Sequence, residues 1–232
     1  MGTSLRDLLG IEHAIIQAPM AGVQGSALAI AVSEAGGLGS LPCALLSAAA
    51  MREELTRITA SSGQPYNVNF FCYEPPSPDP GREAAWRTSL APYFRELDLD
   101  VDAIPSGPSR APFDSDAADL LAEFEPPVVS FHFGLPAPAL LARVRSWGAK
   151  ILSTATTVDE ARWLEAHGAD AIIAQGLEAG GHRGMFLSGD LTTQVGTLAL
   201  LPQIVRAVRV PVIAAGGIAD AAGSSMRGGH LV

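Results

Sequence analysis

Short apolar runs alternate with longer amphipathic stretches along most of the chain. This alternation is typical of a parallel α/β fold, whose strands are buried on both faces and whose helices are buried on one. The apolar runs predict seven strands, at residues 14–18, 38–41, 66–71, 128–131, 151–153, 171–174 and 212–214. The amphipathic stretches predict helices at residues 26–35, 47–61, 82–97, 115–124, 138–147, 158–167 and 198–208.

A short repeat supports this interpretation. The segment from Trp147 to Ile151 ends a helix, passes through a glycine and enters a strand, and the same pattern recurs twenty residues later from His167 to Ala171. Repeated βα units predict parallel strands joined by right-handed crossovers, which either close into a barrel or open into a doubly wound sheet. Prolines interrupt the pattern over residues 73–127, which we interpret as a Pro-rich, partly helical excursion from the fold.

The number of strands favours an incomplete barrel. A TIM (β/α)8 barrel needs eight βα units and typically ~250 residues, whereas no eighth strand or helix is evident after residue 218. We therefore predict one barrel domain over residues 1–223 without its eighth βα unit, followed by an atypical tail at residues 224–232. Strand edges left unpaired in this way would lower the stability and the solubility of the isolated chain.

Composition and charge exclude several classes of partner. The 232 residues are 48% apolar and 17% charged, which indicates a packed core and excludes a disordered chain. The formal net charge of -9 repels phosphate backbones and anionic membranes, so we expect no nucleic-acid and no membrane partner. Cys43 and Cys72 provide neither a disulfide framework nor a metal-ligand cluster, so we expect a cytoplasmic protein without a metal site.

Residues suited to chemistry follow several of the predicted strands. In parallel α/β folds, ligands bind at the carboxyl ends of the strands. Two glycine-rich loops, at residues 176–184 and 214–218, follow neighbouring strands there. Such loops bring backbone N–H groups close to an anion or a flat ring. We favour an anion or cofactor site over simple loop flexibility, because an amide and a histidine accompany the glycines.

Five motifs at these strand ends resemble one family. They are Q-A-P-M-A-G at 17–22, N-V-N-F-F at 67–71, S-F-H-F-G at 130–134, A-Q-G-L-E-A-G-G-H-R-G at 174–184 and A-A-G-G-I at 214–218. In this order and spacing they resemble bacterial class I nitronate monooxygenase, formerly called 2-nitropropane dioxygenase, over about residues 1–220. The long motif at 174–184 is very specific, whereas A-G-G-I is shared by many FMN barrels.

The resemblance implies a site that binds FMN at the mouth of a TIM barrel. The cofactor-binding residues that it implies are Pro19, Met20 and Ala21 at the flavin ring, Asn69 and Gln175 at the ring or ribityl chain, and Gly180, Gly181, Gly216 and Gly217 at the chain and phosphate. His182 is implied to project toward the substrate, with His132 nearby. Residue reasoning alone leaves alternatives open, since His132 could be a satisfied semi-buried histidine and Asn69 could only satisfy backbone groups.

The family oxidises alkyl nitronates, such as propionate 3-nitronate, with O2 to a carbonyl compound and nitrite. A histidine suits this chemistry, because it can donate to an anionic nitronate or accept a proton from a nitroalkane. Two alternatives stay open: another FMN-barrel oxidoreductase of the NAD(P)H:quinone or enoyl reductase type, and a non-catalytic remnant. Family members continue after A-G-G-I with a Gly-Thr turn that binds the FMN phosphate. Because no such turn is evident here, we expect weak FMN affinity. The sequence also leaves open whether the chain forms a homodimer.

Overall fold

The computed structural model describes residues 4–75, 77–100, 103 and 112–218, and the predicted tail at residues 224–232 lies outside this part of the chain. The helices are α1 (Leu5–Leu9), α2 (Ser26–Glu34), α3 (Ala48–Ser61), α4 (Pro80–Glu96), α5 (Ser115–Phe124), α6 (Pro138–Ser146), α7 (Val158–Ala166) and α8 (Thr197–Ala207). The strands are β1 (Gly39–Pro42), β2 (Tyr66–Phe71), β3 (Val128–His132), β4 (Lys150–Ala155), β5 (Ala171–Gln175) and β6 (Val212–Ala215).

The strands form one parallel sheet in the order of the chain. Six strands pair sequentially from β1 to β6, which confirms the predicted repeated βα organisation. The predicted first strand at residues 14–18 is wrong in extent, because it forms only a single parallel bridge between Ile16 and Leu38. Pro19, three residues after the bridge, has no N–H to continue a ladder, and the chain turns away over residues 21–23.

The sheet curls so that residues from its two ends meet. Leu5, Leu9 and Ile11, in and just after α1, belong to one buried cluster with residues near the amino ends of the strands. The strand-side members of this cluster are Leu38, Val128, Leu152, Ala171 and Ile213. Leu38 and Ile213 lie at opposite ends of the strand order, so they share a core only in a sheet curled as in a barrel. The predicted α/β barrel architecture is confirmed, and α1 covers its amino end.

Helices pack on the outer face of the curled sheet. Two further buried clusters contain outward side chains of the strands together with α3, α5 and α6 in one case and α7 and α8 in the other. Gly39 shows how closely the layers approach, because a Cβ placed there would meet the Ala29 carbonyl group of α2. A glycine is therefore required where α2 crosses β1.

The described chain divides into two compact units. Of the described residues, the main unit comprises 4–73 and 112–218, and the second comprises those from Glu74 to residue 103, with α4. Helix α5 belongs to the main unit, where its Leu120 and Leu121 are buried. Helix α4 buries none of its residues. Among the described residues, no helix is long and apolar enough to span a bilayer.

Candidate active site

The carboxyl ends of β3, β4 and β5 bring three polar side chains together, two of which are predicted site residues. His132 is the last residue of β3, Thr154 lies near the end of β4, and Gln175 is the last residue of β5. Because parallel strands point the same way, these ends meet at one rim of the barrel. The glycine-rich loop 176–184 leaves β5 from this rim and returns over it, so that its residues contact all three side chains.

His132 uses both ring nitrogens within the protein. Its Nε2 lies 3.1 Å from the carbonyl oxygen of His182, and its Nδ1 lies 3.0 Å from Thr154 Oγ1. A carbonyl oxygen can only accept a hydrogen bond, so Nε2 bears the proton in the neutral ring and Nδ1 accepts from the Thr154 hydroxyl. The His182 carbonyl therefore selects the tautomer of His132, and the Thr154 hydroxyl completes it by donating to Nδ1.

Burial keeps His132 uncharged. Loss of hydration around the ring lowers the pKa of His132 to about 4, against the opposing effect of the hydrogen bond to the His182 carbonyl. A histidine with this pKa is neutral at physiological pH. It therefore provides hydrogen bonds at the rim but no positive charge.

The carbonyl oxygen of His182 receives a second hydrogen bond from Gln175. Gln175 Nε2 donates to it at 3.0 Å, while Gln175 Oε1 accepts from the backbone N–H of Gly184 at 2.7 Å. Both ends of this buried amide therefore hold the loop on either side of Arg183. A flavin contact from Gln175 stays a prediction, because the described contacts assign its amide to the loop.

Gly184 allows the loop to lie directly on His132. A Cβ added at Gly184 would stand 2.6 Å from His132 Cε1 and 2.8 Å from Thr154 Cγ2, both too close for real contacts. The last glycine of the 174–184 motif is thus explained by packing against the histidine. Since Gly184 is buried and Gly180 and Gly181 are exposed, the loop is anchored at its end and open in its middle.

Aromatic rings surround the two histidines. The Phe71 ring centroid lies 5.2 Å from that of His182 and 5.8 Å from that of His132, and Phe133 lies 4.5 Å from His132. Phe133 has a φ of 67°, a left-handed conformation that bulky residues rarely adopt. Its backbone strain at this rim is consistent with a functional position. The imidazole of His182 is exposed beside these rings.

A polar network fills the barrel interior below the rim. Asn69 Nδ2 donates to Ser130 Oγ at 2.9 Å and to the Ser130 carbonyl oxygen at 3.2 Å. Asn67 Nδ2 donates to Ser40 Oγ at 3.0 Å and to Ser130 Oγ at 2.9 Å. The Oδ1 atom of Asn67 is buried and has no partner. Asn69 thus has a structural role, and its predicted contact with a cofactor stays a prediction.

A carboxylate brings the two predicted glycine loops together. Glu178 Oε2 accepts from the Thr197 backbone N–H at 2.6 Å and from Thr197 Oγ1 at 2.8 Å, and these bonds hold the pKa of the Glu178 carboxyl below its usual value. Thr197 Oγ1 also lies 3.0 Å from the Gly216 carbonyl oxygen. The loop after β5 and the loop after β6 are therefore neighbours at the start of α8.

Gly216 and Gly217 adopt backbone conformations reserved for glycine. Their φ angles are 118° and 68°, and a Cβ at Gly217 would stand 2.9 Å from Glu178 Cβ. The N–H groups of Gly180, Gly216 and Gly217 donate to no other described residue. These amides form a set of neutral donors at the rim, which suits an anion such as phosphate.

The segment predicted to line a flavin ring lies between the Ile16 bridge and α2. Gln17 holds this segment to β1, since its amide donates to the Ser40 carbonyl oxygen at 3.1 Å and accepts from the Ser40 N–H at 3.2 Å. Pro19 and Ala21 are half-buried and Met20 is 50% exposed. Their role at a flavin ring stays a prediction.

Both cysteines are unsuited to nucleophilic chemistry. Cys43 and Cys72 are free, and burial raises the pKa of each thiol well above its usual range. They therefore behave as small core residues. Among the described residues, no group of His, Cys, Asp or Glu is arranged to hold a metal ion.

Sequence reasoning missed residues that act on the loop from neighbouring elements. None of three such residues is a predicted site residue. Thr154 binds His132, Gly184 lets the loop pack on His132, and Thr197 binds the glycine turn at Gly216. Thr154 directly follows the predicted strand at residues 151–153, and Gly184 is the last residue of the motif at 174–184. That position is the signal that could have identified them.

Comparison with known proteins identifies the family of this site. A family model described as "Nitronate monooxygenase" matches residues 2–225. The chain belongs to the nitronate monooxygenase family. Membership confirms the resemblance predicted from the five motifs.

Two curated relatives agree with this membership. A nitronate monooxygenase of Paraburkholderia phytofirmans is 44% identical over 225 residues, which are 95% of this chain and 60% of that protein. A nitronate monooxygenase of Pseudomonas aeruginosa is 42% identical over 224 residues, which are 93% of this chain and 62% of that protein. The chain thus spans about three fifths of the length of these relatives.

Solved structures show the same relationship. The nitroalkane oxidase of Streptomyces ansochromogenes superposes with a TM-score of 0.79 at 42% identity, covering 92% of this chain and 60% of that one. FabK of Thermotoga maritima superposes with a TM-score of 0.68 at 30% identity, covering 94% of this chain and 55% of that one. The nitroalkane oxidase is therefore more similar to this chain than FabK by both TM-score and identity.

Proposed function

We propose that this chain binds FMN at the barrel rim and there oxidises alkyl nitronates with O2 to a carbonyl compound and nitrite. The single observation that supports this best is the placement of His182. Its backbone is held by His132 and Gln175, and its ring is exposed beside the glycine-rich loop of a nitronate monooxygenase family member. Propionate 3-nitronate is the substrate that we favour.

The residues present fit FMN. The N–H groups of Gly180, Gly216 and Gly217 are donors of the kind that bind phosphate, and a Cβ at Gly180 or Gly181 would meet open space. Pro19, Met20 and Ala21 provide a half-open apolar surface suited to a flat ring. We assign the phosphate to the glycine loops and the ring to this apolar segment, with Asn69 and Gln175 contributing amides.

The protein residues bind and orient the nitronate in this proposal. The redox chemistry, the passage of electrons from the nitronate to O2, is supplied by the flavin when it is bound. His182 hydrogen-bonds the anionic nitro group, and in its neutral form it accepts a proton from a nitroalkane. His132 stays neutral and holds the backbone of His182, so we assign it as a positioning residue. The substrates in this proposal are a small anion and O2. We infer a cytoplasmic location from the two free cysteines.

A second candidate is an FMN-dependent reductase of the enoyl reductase or NAD(P)H:quinone type. The 30% identity to FabK at a TM-score of 0.68 favours keeping it. This reaction would need a nicotinamide site that none of the motifs provides. The two candidates differ in which compound reduces a bound flavin.

An absorbance spectrum of the purified chain supplemented with FMN, followed by two additions, tests the proposal. We expect a bound-flavin spectrum, bleaching by anaerobic propionate 3-nitronate, and nitrite release under air. Rapid anaerobic bleaching by NADH without a response to nitronate would establish the reductase instead. A colourless preparation that retains no flavin would overturn both enzymes in favour of a non-catalytic protein.

A further inference from the structure

Glu160 is a buried carboxylate that belongs to no predicted site. It lies in the first turn of α7 and is 1% exposed. Burying a carboxylate is costly unless several donors surround it. Glu160 accepts four hydrogen bonds from two different segments of the main unit, and the identity of these segments indicates what the carboxylate does.

One oxygen of Glu160 holds the end of β4. Its Oε2 accepts from the Thr156 backbone N–H at 2.7 Å and from Thr156 Oγ1 at 2.8 Å. Thr156 lies two residues after Thr154, the partner of His132 Nδ1. Gln194 Nε2 donates to Thr156 Oγ1 at 3.1 Å and ties the far end of the long β5–α8 connection to the same point.

The other oxygen of Glu160 holds the segment that follows the histidine loop. Its Oε1 accepts from the backbone N–H of Phe186 at 2.7 Å and of Leu187 at 3.2 Å. The Phe186 ring packs edge-on against Trp163 of α7, with centroids 5.2 Å apart. On its other side the ring lies against Gly134, where an added Cβ would stand 3.2 Å from it.

These contacts form a closed path around the site. The path runs from His132 through Thr154 and Thr156 to Glu160, and from there through Phe186 back to the His182 carbonyl that binds His132. Glu160 is the member that joins the strand side to the loop side. Its two oxygens serve the two sides separately, so the carboxylate sets the distance between them.

We propose that Glu160 is a positioning residue that fixes the His182 loop over the barrel rim. An alanine at this position removes both acceptor oxygens. All four hydrogen bonds are then lost, and the strand side of the path is no longer joined to the loop side. The proposal rests on the proposed function for the importance of His182, but the loop geometry itself can be measured without any turnover.

The chain offers a matched control on the same helix. Glu165 of α7 also accepts two backbone N–H groups with one oxygen, from Arg209 at 2.6 Å and from Val210 at 3.1 Å. That segment precedes β6, at the amino end of the strands. Glu165→Ala therefore removes two backbone hydrogen bonds from the same helix without touching the path to His182.

Amide hydrogen exchange and 15N spectra of histidine-labelled protein test the proposal on the full chain. In the wild type, we expect the amides of Phe186 and Leu187 to exchange about tenfold slower than that of Gly189, after correction for intrinsic rates. In Glu160→Ala, we expect about tenfold faster exchange at these two amides and shifted ring signals of His132. In Glu165→Ala, faster exchange is expected only at Arg209 and Val210.

Two results would overturn the proposal. One is unprotected Phe186 and Leu187 amides in the wild type, a measurement that stands even where Glu160→Ala does not fold. The other is an equal change of the His132 signals in both variants, which would reduce Glu160 to general stabilisation. A chain that shows the expected exchange pattern but releases no nitrite from nitronate would refute the proposed function and leave the positioning role intact.

Discussion

The two ends of the barrel use the same strands for opposite purposes. At the amino end, Leu5 and Leu9 of α1 pack on apolar strand residues in a closed cluster. At the carboxyl end, amides, hydroxyls and histidines line the rim, and two glycine loops lie over it. Strand β3 shows the whole change along one face, from Val128 in the cluster through Ser130 in the amide network to His132 at the rim.

This difference separates stability from chemistry. Apolar burial at the amino end stabilises the folded state without any bound ligand. The rim instead contains buried polar groups that are costly unless each finds a partner, and they find it in a neighbouring strand or loop. A change at the amino end should therefore alter unfolding, and a change at the rim should alter turnover.

The largest expected effect is on turnover at the rim. We expect His182→Ala to lower kcat/KM for propionate 3-nitronate by about 100-fold or more, as is typical for loss of an acid–base or orienting histidine. Its free energy of unfolding should change little, because the side chain is exposed. Nitrite assays and urea unfolding measure the two quantities. His13→Ala, at an exposed histidine near the amino end, is the control, and equal turnover of both variants would contradict the assignment of His182.

The next effect is on stability at the amino end. Leu9 is 4% exposed, and Leu9→Ala should lower the free energy of unfolding by about 2–5 kcal/mol through lost burial and a cavity. The turnover of the molecules that remain folded should not change. Urea unfolding with parallel nitrite assays measures this. Leu45→Ala, at a leucine 46% exposed, is the control, and a similar loss there would mean that α1 adds no special cover.

A pH effect of intermediate size distinguishes the buried histidine at the rim. The pKa of His132 is about 4 when folded and about 6.5 when unfolded, so the unfolded chain binds a proton between these values that the folded chain does not. The free energy of unfolding should therefore be highest above about pH 6.5 and fall toward pH 4, by about 3 kcal/mol at most.

Urea unfolding at pH 4.5 and pH 7 measures this slope. His132→Asn should flatten it, whereas His13→Asn leaves His132 in place and should retain it. An unchanged slope in His132→Asn would show that other groups cause the acid sensitivity.

The smallest expected effect is at Thr154. Thr154→Val keeps the shape but removes the donor to His132 Nδ1, and should cost about 1 kcal/mol of unfolding free energy. It should also shift the ring nitrogen signals of His132, because Nδ1 loses its hydrogen-bond donor. Thr154→Ser restores the hydroxyl and should restore both quantities. Indistinguishable Val and Ser variants would show that the Thr154 hydroxyl does not bind His132 Nδ1.

Hydrophobic periodicity predicted the elements well, because buried strands and one-sided helices leave local patterns. The prediction for β2 at residues 66–71 matches the observed strand, and that for α5 at residues 115–124 matches the helix. The exception is the segment at residues 14–18. Its composition suits a strand, but Pro19 and the following turn limit it to one bridge with Leu38.

The sequence by itself determined the βα order, the family motifs and the strand ends at which they meet, since these properties depend on neighbours along the chain. Only the tertiary structure decided which partners those residues have. It assigned the Gln175 amide to the loop, and it placed Glu160 between β4 and Phe186. The physical reason is that hydrogen bonds and burial act between atoms close in space, and contacts across a curled sheet join residues far apart in sequence.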